Sequence, residues 1–530
     1  MVATKLGAKA KIAVGPRDKD HIVAAIKYFS NPIDKTIYKH TDWMSAAGKH
    51  TYLSAAGGIT VKGADNQIET ELQGALASYH LPLPSTNGPV DFGPVLADFD
   101  RLLDGSIGLL LMGGAFRSFL SEFVACHVSI FLQGTIGTFK SAIAACVQAF
   151  FGKKFNGTHL PENWSSTGNA IEKKAFLAKD TLFTIDDFLA RGTATEVSKL
   201  HGSAERVLRG QGNQSGRDRL TTSTDIRGAY VPRGLILATG EDIPNGHSLQ
   251  ARCVIVSIDK GATDMPTLTR LQEAAGHGQL SQIMSDFIRW VAGKADNNDI
   301  KKLLDQIQAE CKEGIVHRGH ARMQDNLVTL LSGFWLFLEF GKDCNTLSDM
   351  TIRELKTKAF KAAKTLVQLQ TTVNQEGSDT DRFIGHLQSA LQMGKAHLAG
   401  QGGSEPAHPS ALGWKLTGAG DYQRTEGQGP KIGWAFDGYI YLDLRAALSV
   451  IRPLSTQAGN YLGSSAQAIS KALKEAGKLE KYSEERVATK VIVEGVRRST
   501  LCLPLTLIVE EGKIILGAPT NGVPEYKSPF

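Results

Sequence analysis

The sequence lacks most of the features that would assign it to a special class. Its six cysteines (Cys126, Cys146, Cys253, Cys311, Cys344 and Cys502) are scattered without a C-x-x-C pair, and no histidines cluster at zinc-ligand spacing. A disulfide framework and a structural zinc are therefore not indicated, and the thiols read as reduced and structural. The lysine-rich start has no apolar h-region, which argues against a secretory signal. Long hydrophobic runs are also missing. The most apolar stretch, 107–134, is interrupted by Arg117, Glu122 and His127, so it reads as a helix followed by a buried strand rather than a membrane span. A cytoplasmic protein without membrane contact is the expectation. No internal repeat is found. Neither sign of charge dominates: a net +6 with pI near 8.8 permits contact with nucleic acid but matters only if concentrated on one surface.

What is present is a long chain of ordinary globular composition. At 530 residues and 57.1 kDa it exceeds one ordinary core, so several units are expected. With 42% hydrophobic and 21% charged residues, neither wholesale disorder nor a membrane class is suggested. Residues 1–94 read as a small β-rich domain, in which short strand-like runs are separated by Gly48, Gly57-Gly58 and Gly63. In 95–265 a helical spacing of Leu and Phe gives way to apolar runs alternating with helical patterns, the signature of an α/β sheet core. Residues 266–398 are poor in Pro and Gly and predict a helical domain. The Gly-, Ser- and Pro-containing stretch 399–411 reads as a linker, and 412–530 as a winged-helix-like α/β module. In that module Lys490, Arg497 and Arg498 read either as a basic wing or as a solvated strand face.

One segment carries chemistry. The apolar run 127–132 leads into Gly134-Thr135-Ile136-Gly137-Thr138-Phe139-Lys140-Ser141, and helix formers follow. Strand, glycine loop and helix in this order make a phosphate cradle: glycines let backbone N–H groups approach phosphate, the lysine reaches the β- and γ-phosphates, and the serine hydroxyl ligates Mg2+. Phe139 stands where the Walker A pattern has its second glycine. At a helix start it is expected to keep right-handed backbone angles and turn its ring away. The plain alternative is an ordinary Gly-rich β–α turn.

Downstream, the apolar run 181–185 ends in Asp186-Asp187, as a Walker B strand does. Asp186 is the candidate on the metal side and Asp187 the candidate base; an aspartate at the second place, shorter than glutamate, is expected either to move the water or to slow hydrolysis. A pair of solvated acids is the bland reading. A third strand, 234–239, ends at Thr239 with Glu241 close behind, both placed to sense a γ-phosphate. Arg252, just before another apolar run, is a candidate arginine finger reaching a neighbouring subunit's nucleotide; a surface ion pair is its alternative. ATP and Mg2+ are the implied cofactors.

Longer strings carry a resemblance. Trp43, Tyr52 to Gly58, Trp164 to Glu172, Asp186-Asp187-Phe188, Arg209 to Arg219 and Pro232 to Glu241 resemble the domain of unknown function 927 family of phage, plasmid and other mobile-element proteins, themselves similar to superfamily 3 helicases. The resemblance covers most of 37–340 and, more faintly, the tail. It implies an AAA+ P-loop ATPase core flanked by a β-rich N-terminal domain, a helical block and the winged-helix-like module. It further implies a homo-oligomeric ring, a hexamer favoured, whose ATP sites lie at subunit interfaces, with single-stranded or forked DNA and a primase as partners; no primase is apparent in this chain. Arg209, Arg217 and Arg219 become candidates for contact with a neighbour, the nucleotide or DNA, and Arg227 and Arg233 after them for contact with DNA, or in the bland reading solvated loop charges. The expected function is ATP-dependent DNA translocation or unwinding in a mobile-element or phage replication system. The competing expectation is a nucleotide-controlled AAA+ switch or assembly protein, for example in anti-phage defence, that unwinds nothing.

Overall fold

The computed structural model describes residues 17–29, 36–65, 67–215, 219–220, 226–227, 229–244, 247–315, 321–376, 379–418, 423–457, 462, 465–483 and 486–509. After helix α1 (Asp18–Phe29), strands β2 (Asp42–Ala46), β3 (Lys49–Ser54), β4 (Gly57–Thr60) and β5 (Gly63–Asp65) form an antiparallel meander, beside which β1 (Ile37–Tyr38) and β6 (Glu69–Thr70) pair in parallel. Gly48 and Gly63 have positive φ at the hairpin turns, where a side chain would be strained. Trp43, Tyr52 and Ile59 are buried beneath the meander.

The next unit is a wound α/β layer. Helices α2 (Gly93–Arg101) and α3 (Ile107–Ser118) precede β7 (Ser129–Gln133), α4 (Lys140–Gln148), β8 (Glu162–Asn163), α5 (Gly168–Leu177), β9 (Thr181–Phe188) and α6 (Ala194–Asn213). A short antiparallel pair, β10 (Arg219–Leu220) and β11 (Ile226–Arg227), follows, then β12 (Gly234–Gly240), α7 (His247–Gln250) and β13 (Cys253–Ser257). The five main strands are all parallel in the order β13-β7-β12-β9-β8. Their near-continuous apolar runs suit a sheet covered on both faces. Every loop that leaves the C-terminal end of a strand therefore lies along one edge of the sheet, where β12 separates β7 from β9.

Helices α8 (Met265–Gly276), α9 (Gln279–Asp296), α10 (Ile300–Gly314), α11 (Ala321–Asp343) and α12 (Asp349–Glu376) complete this body. α11 lies directly on α3, and only the missing side chains of Gly113 and Gly333 allow it: a Cβ on either would run into the opposite helix's backbone carbonyl. One apolar core runs from Trp43 to Val367 and joins the meander, the sheet and this helical block. Hydrogen bonds stitch the meander to the α/β layer, from Trp43 Nε1 to the Phe119 carbonyl and from Tyr52 Oη to the Asp180 carbonyl, each 2.8 Å.

A second core belongs to the C-terminal unit. Helices α13 (Asp379–Gln392), α14 (Leu444–Gln457) and α15 (Ala466–Glu475) cover one face of the sheet β14-β17-β18-β20-β19, formed by β14 (His397–Ala399), β17 (Lys431–Phe436), β18 (Tyr439–Leu442), β19 (Thr489–Val493) and β20 (Val496–Pro504). The hairpin β15 (Trp414–Thr417) and β16 (Arg424–Gly427) stands at its side. Because Phe383, Leu387 and Leu391 of α13 share a core with Ile451 and Ile469, α13 packs with this unit although it precedes the linker expected at 399–411, and β14 runs into that linker's first residue. Among the described residues no helix is long and apolar enough to cross a membrane.

Candidate nucleotide site

The loop between β7 and α4 is shaped by close backbone approaches. Gly134 donates its N–H to the Gly240 carbonyl at 3.1 Å, and a Cβ there would lie 2.8 Å from the Ile258 carbonyl and against the Thr138 hydroxyl. Thr138 is buried; its hydroxyl donates to the Thr135 carbonyl at 3.0 Å, and its own carbonyl accepts from the Thr263 hydroxyl at 3.4 Å. The loop is thus fixed from below. Thr135, Ile136 and Gly137 face solvent, Gly137 with φ +86°. Lys140 and Ser141, half-buried, open α4, so the unpaired N–H groups of its first turn and its positive dipole end face the loop.

Phe139 departs from the expected right-handed backbone: φ is 61° and ψ 17°, in the left-handed region. The physical reason is the turn itself, which must reverse into the first residue of α4 and so uses the conformation for which the Walker A pattern keeps a glycine. A non-glycine residue in that region costs about 1–2 kcal/mol. The ring does turn outward, as expected, and is 44% exposed.

Across the sheet edge, Ser141 Oγ donates to Asp186 Oδ1 at 2.8 Å. Thr239 Oγ1 donates to the same oxygen at 2.5 Å and accepts the Asp187 N–H at 3.0 Å. A bulge makes this arrangement. β12 pairs with β9 at Ala238–Ile185 and again at Gly240–Phe188, so Thr239 alone stands opposite both Asp186 and Asp187. Asp187 itself has φ 64° and is exposed, while Thr239 is fully buried. Backbone strain of this kind collects at functional sites. Glu241 pairs with Arg191 at 2.9 Å, and its carbonyl accepts from Gln133 Nε2 at 3.1 Å. The donor set fits a small hard cation. Neighbouring ligands on an octahedral Mg2+ at about 2.1 Å lie about 3 Å apart, close to the 2.8 Å between Ser141 Oγ and Asp186 Oδ1.

The candidate arginines are elsewhere. Arg252 immediately precedes β13, whose first residue pairs with Ser129 at the start of β7, so it lies at the edge opposite the glycine loop, about 13 Å or more away along a five-residue strand. It is 8% exposed, and its Nε and Nη2 donate to Asn213 Oδ1 at 3.1 and 2.9 Å. Burial, then the nearby charges of Arg322 and Arg209, pull its pKa down. Arg209 is half exposed and pairs with Glu205 one helical turn away. Arg233, on the same edge, is bound by Asp42, by Glu122 at 2.8 Å and by Asp180 at 2.7 Å. Three carboxylates occupy that guanidinium, so the charge proposed for DNA is spent on tying the meander to the sheet. Burial pushes the Asp180 carboxyl up, while the Trp43 N–H pulls the other way. Arg219 and Arg227 face each other in the β10–β11 register; their side chains, and Arg217 altogether, lie outside the described residues. Sequence reasoning missed Asn213 as the partner of Arg252 and Arg191 as the partner of Glu241, since neither has a short-range signal.

The strand–loop–helix cradle, the acid-bearing strand and the helical block define a mixed α/β protein with a P-loop-like core. The chain is similar in fold to a solved structure described as "SCCmec type IV Cch - active helicase", at 13% sequence identity and a TM-score of 0.54, over 92% of this chain and 82% of that one. No family model matches the sequence, and no curated protein matches it.

Proposed function

We propose that the chain is an ATP-driven DNA translocase or helicase of a mobile-element or phage replication system, acting as a ring-like homo-oligomer with ATP sites at subunit interfaces. The observation that carries this reading is the convergence of the Ser141 and Thr239 hydroxyls on one carboxylate oxygen of Asp186 beside the loop that opens α4; the fold likeness to a protein described as a helicase supports the rest. Lys140 and the loop N–H groups bind the phosphates of ATP. Ser141 and Asp186 would hold Mg2+, which would screen phosphate charge there. Asp187 orients the attacking water, and Thr239 fixes both acids. Arg252, on the far edge, serves a neighbour's site and not its own. Arg209, Arg217, Arg219 and Arg227 contact DNA phosphates or a neighbour, whereas Arg233 is held by Asp42, Glu122 and Asp180. A primase is the implied partner, and six subunits the favoured ring.

The deciding experiment measures phosphate release from ATP with and without single-stranded DNA, strand displacement on a forked duplex, and assembly mass with ATP. Stimulated turnover, displacement and a ring mass, with turnover and displacement lost on Lys140→Ala, are expected. Hydrolysis that ignores DNA and moves no strand would establish the switch reading instead. A monomer under all conditions would remove the role given to Arg252.

A further inference from the structure

The C-terminal sheet has two unlike faces. Along β18, Ile440 and Leu442 enter the core beneath α13, α14 and α15, while Tyr439 and Tyr441 alternate onto the opposite face. The register sets Tyr441 beside Trp434 and Cys502, and Tyr439 beside Phe436. Phe436 stacks on Tyr441 with ring centroids 4.6 Å apart and planes at 23°, and Tyr439 lies 6.5 Å from Tyr441. Trp434 and Tyr441 are buried at the base; Phe436 and Tyr439 are only half-buried. Among the described residues every apolar member of this cluster comes from a strand.

Cations border the rings. Lys481 Nζ stands 3.8 Å from the Tyr439 centroid and donates to Tyr441 Oη at 2.8 Å, and the Arg498 guanidinium lies 5.4 Å from the Trp434 centroid. Both cations are exposed. The nearby Glu494 is neutralised by Lys431 and also accepts from Trp434 Nε1 at 3.0 Å, so the face keeps a positive balance.

We infer that this face is a platform for single-stranded nucleic acid, with bases against Phe436 and Tyr439 and phosphates against Lys481 and Arg498. Aromatic faces on adjacent strands offer stacking that any base accepts, and flanking cations follow the backbone. A duplex keeps its bases inside its own stack and offers no face to these rings, so the chemistry selects the single strand. The inference rests on the proposed reading only in supposing that the protein meets DNA; it makes no use of ATP.

The test uses the full chain without nucleotide. Oligo(dT) binding is followed by fluorescence anisotropy, and an oligonucleotide carrying 5-iodouracil is photocrosslinked and mapped by mass spectrometry. Crosslinks within 434–441 are expected, with affinity falling about 5- to 100-fold for a Phe436→Ala/Tyr439→Ala double variant. Tyr439→Phe, which keeps the ring, retains binding, and Lys481→Ala with Arg498→Ala reduces its salt dependence. Unchanged affinity in a double variant with unchanged circular dichroism overturns the inference, as do crosslinks confined to other segments or equal binding of duplex. A protein segment occupying the face would show itself by absent crosslinks with unchanged affinity, and also overturns it. Because no nucleotide is present, binding through this face by a chain that hydrolyses no ATP would leave the platform standing while removing the motor.

Discussion

Ser141 at the start of α4 and Asp186 at the end of β9 share a 2.8 Å hydrogen bond, although β12 lies between the strands that lead to them. The contact closes over the sheet edge because the glycine loop carries Ser141 across the tip of β12, where the bulged Thr239 binds the same carboxylate oxygen. Asp186→Asn keeps the shape of the side chain but removes the charge that balances a bound cation. ATP turnover measured by phosphate release is expected to fall about 100-fold or more, with a normal melting profile. Turnover within a factor of two or so of the parent would dismiss Asp186 as the metal-side residue.

Thr239→Val separates shape from hydrogen bonding. The hydroxyl donates to Asp186 and accepts the Asp187 N–H, and valine does neither in the same volume. Losing such bonds at a buried position costs about 1–3 kcal/mol. The loss should appear as a roughly 5- to 100-fold lower kcat, with nucleotide affinity nearly kept. A change in affinity alone would mean that Thr239 merely props the strand tip.

The left-handed backbone of Phe139 makes opposite expectations for two substitutions. Phe139→Gly adopts this φ freely and is expected to bind a fluorescent ATP analogue as tightly as the parent, or more tightly. Phe139→Val, branched at Cβ and therefore worse in the left-handed region, is expected to bind more weakly. If titrations rank valine equal to glycine, the loop is not held in this conformation when nucleotide binds.

Much of this site was legible in the chain because its parts are local. A strand, a glycine loop and a helix need no long-range information, and an acid pair capping an apolar run marks a strand end. The bulge at Thr239 was not legible: it depends on how β12 registers against β9, 50 or so residues earlier in the chain. Nor was the commitment of Arg233, since Asp42, Glu122 and Asp180 come from three separate segments. The helical character of α13 could be read from its pattern, but its allegiance to the C-terminal core could not, because periodicity says which face is apolar and not what covers it.

Arg233→Ala leaves Asp180, whose side chain is fully buried, without its cation. Breaking one side of such a pair costs about 3–5 kcal/mol. Calorimetry is expected to show a clear loss, and Asp180→Asn in the same chain to recover part of it, since the second change removes the stranded charge. Strictly additive losses would mean the two residues are not coupled.

Stability is expected to fall as the solution is made mildly acidic. His40, His127 and His201 all have pKa values below the ordinary 6.5, each chiefly through burial. The folded protein therefore keeps them neutral while the unfolded chain takes up protons. Between the lowered folded values and about 6.5 the unfolded state binds more protons, so stability rises with pH and is lost as pH drops through that window. Melting temperatures should decline from about pH 7.5 to 5.5. His201 lies edge-on to Phe188 at 5.3 Å, and His201→Gln should make the decline shallower. An unchanged slope would assign the effect to other groups.

Arg252 poses the sharpest question about assembly, since it lies at the sheet edge opposite its own glycine loop and is held by Asn213. If it completes a neighbour's ATP site, two inactive chains should repair each other. A Lys140→Ala subunit cannot bind phosphate but still offers Arg252, whereas an Arg252→Ala subunit keeps the loop but offers nothing across the interface. Mixed and allowed to exchange, they form interfaces at which an intact loop meets an intact arginine, and ATP turnover should reappear in the mixture although each variant alone has lost it. The Asn213 bond makes a further demand, because the arginine must leave that amide to reach a phosphate. Asn213→Ala should therefore preserve turnover and shift its dependence on protein concentration, while a purely structural Arg252 would lose its support and lower the melting temperature. A mixture as inactive as its parts, with exchange verified by mass, would leave Arg252 a buried structural residue of one chain.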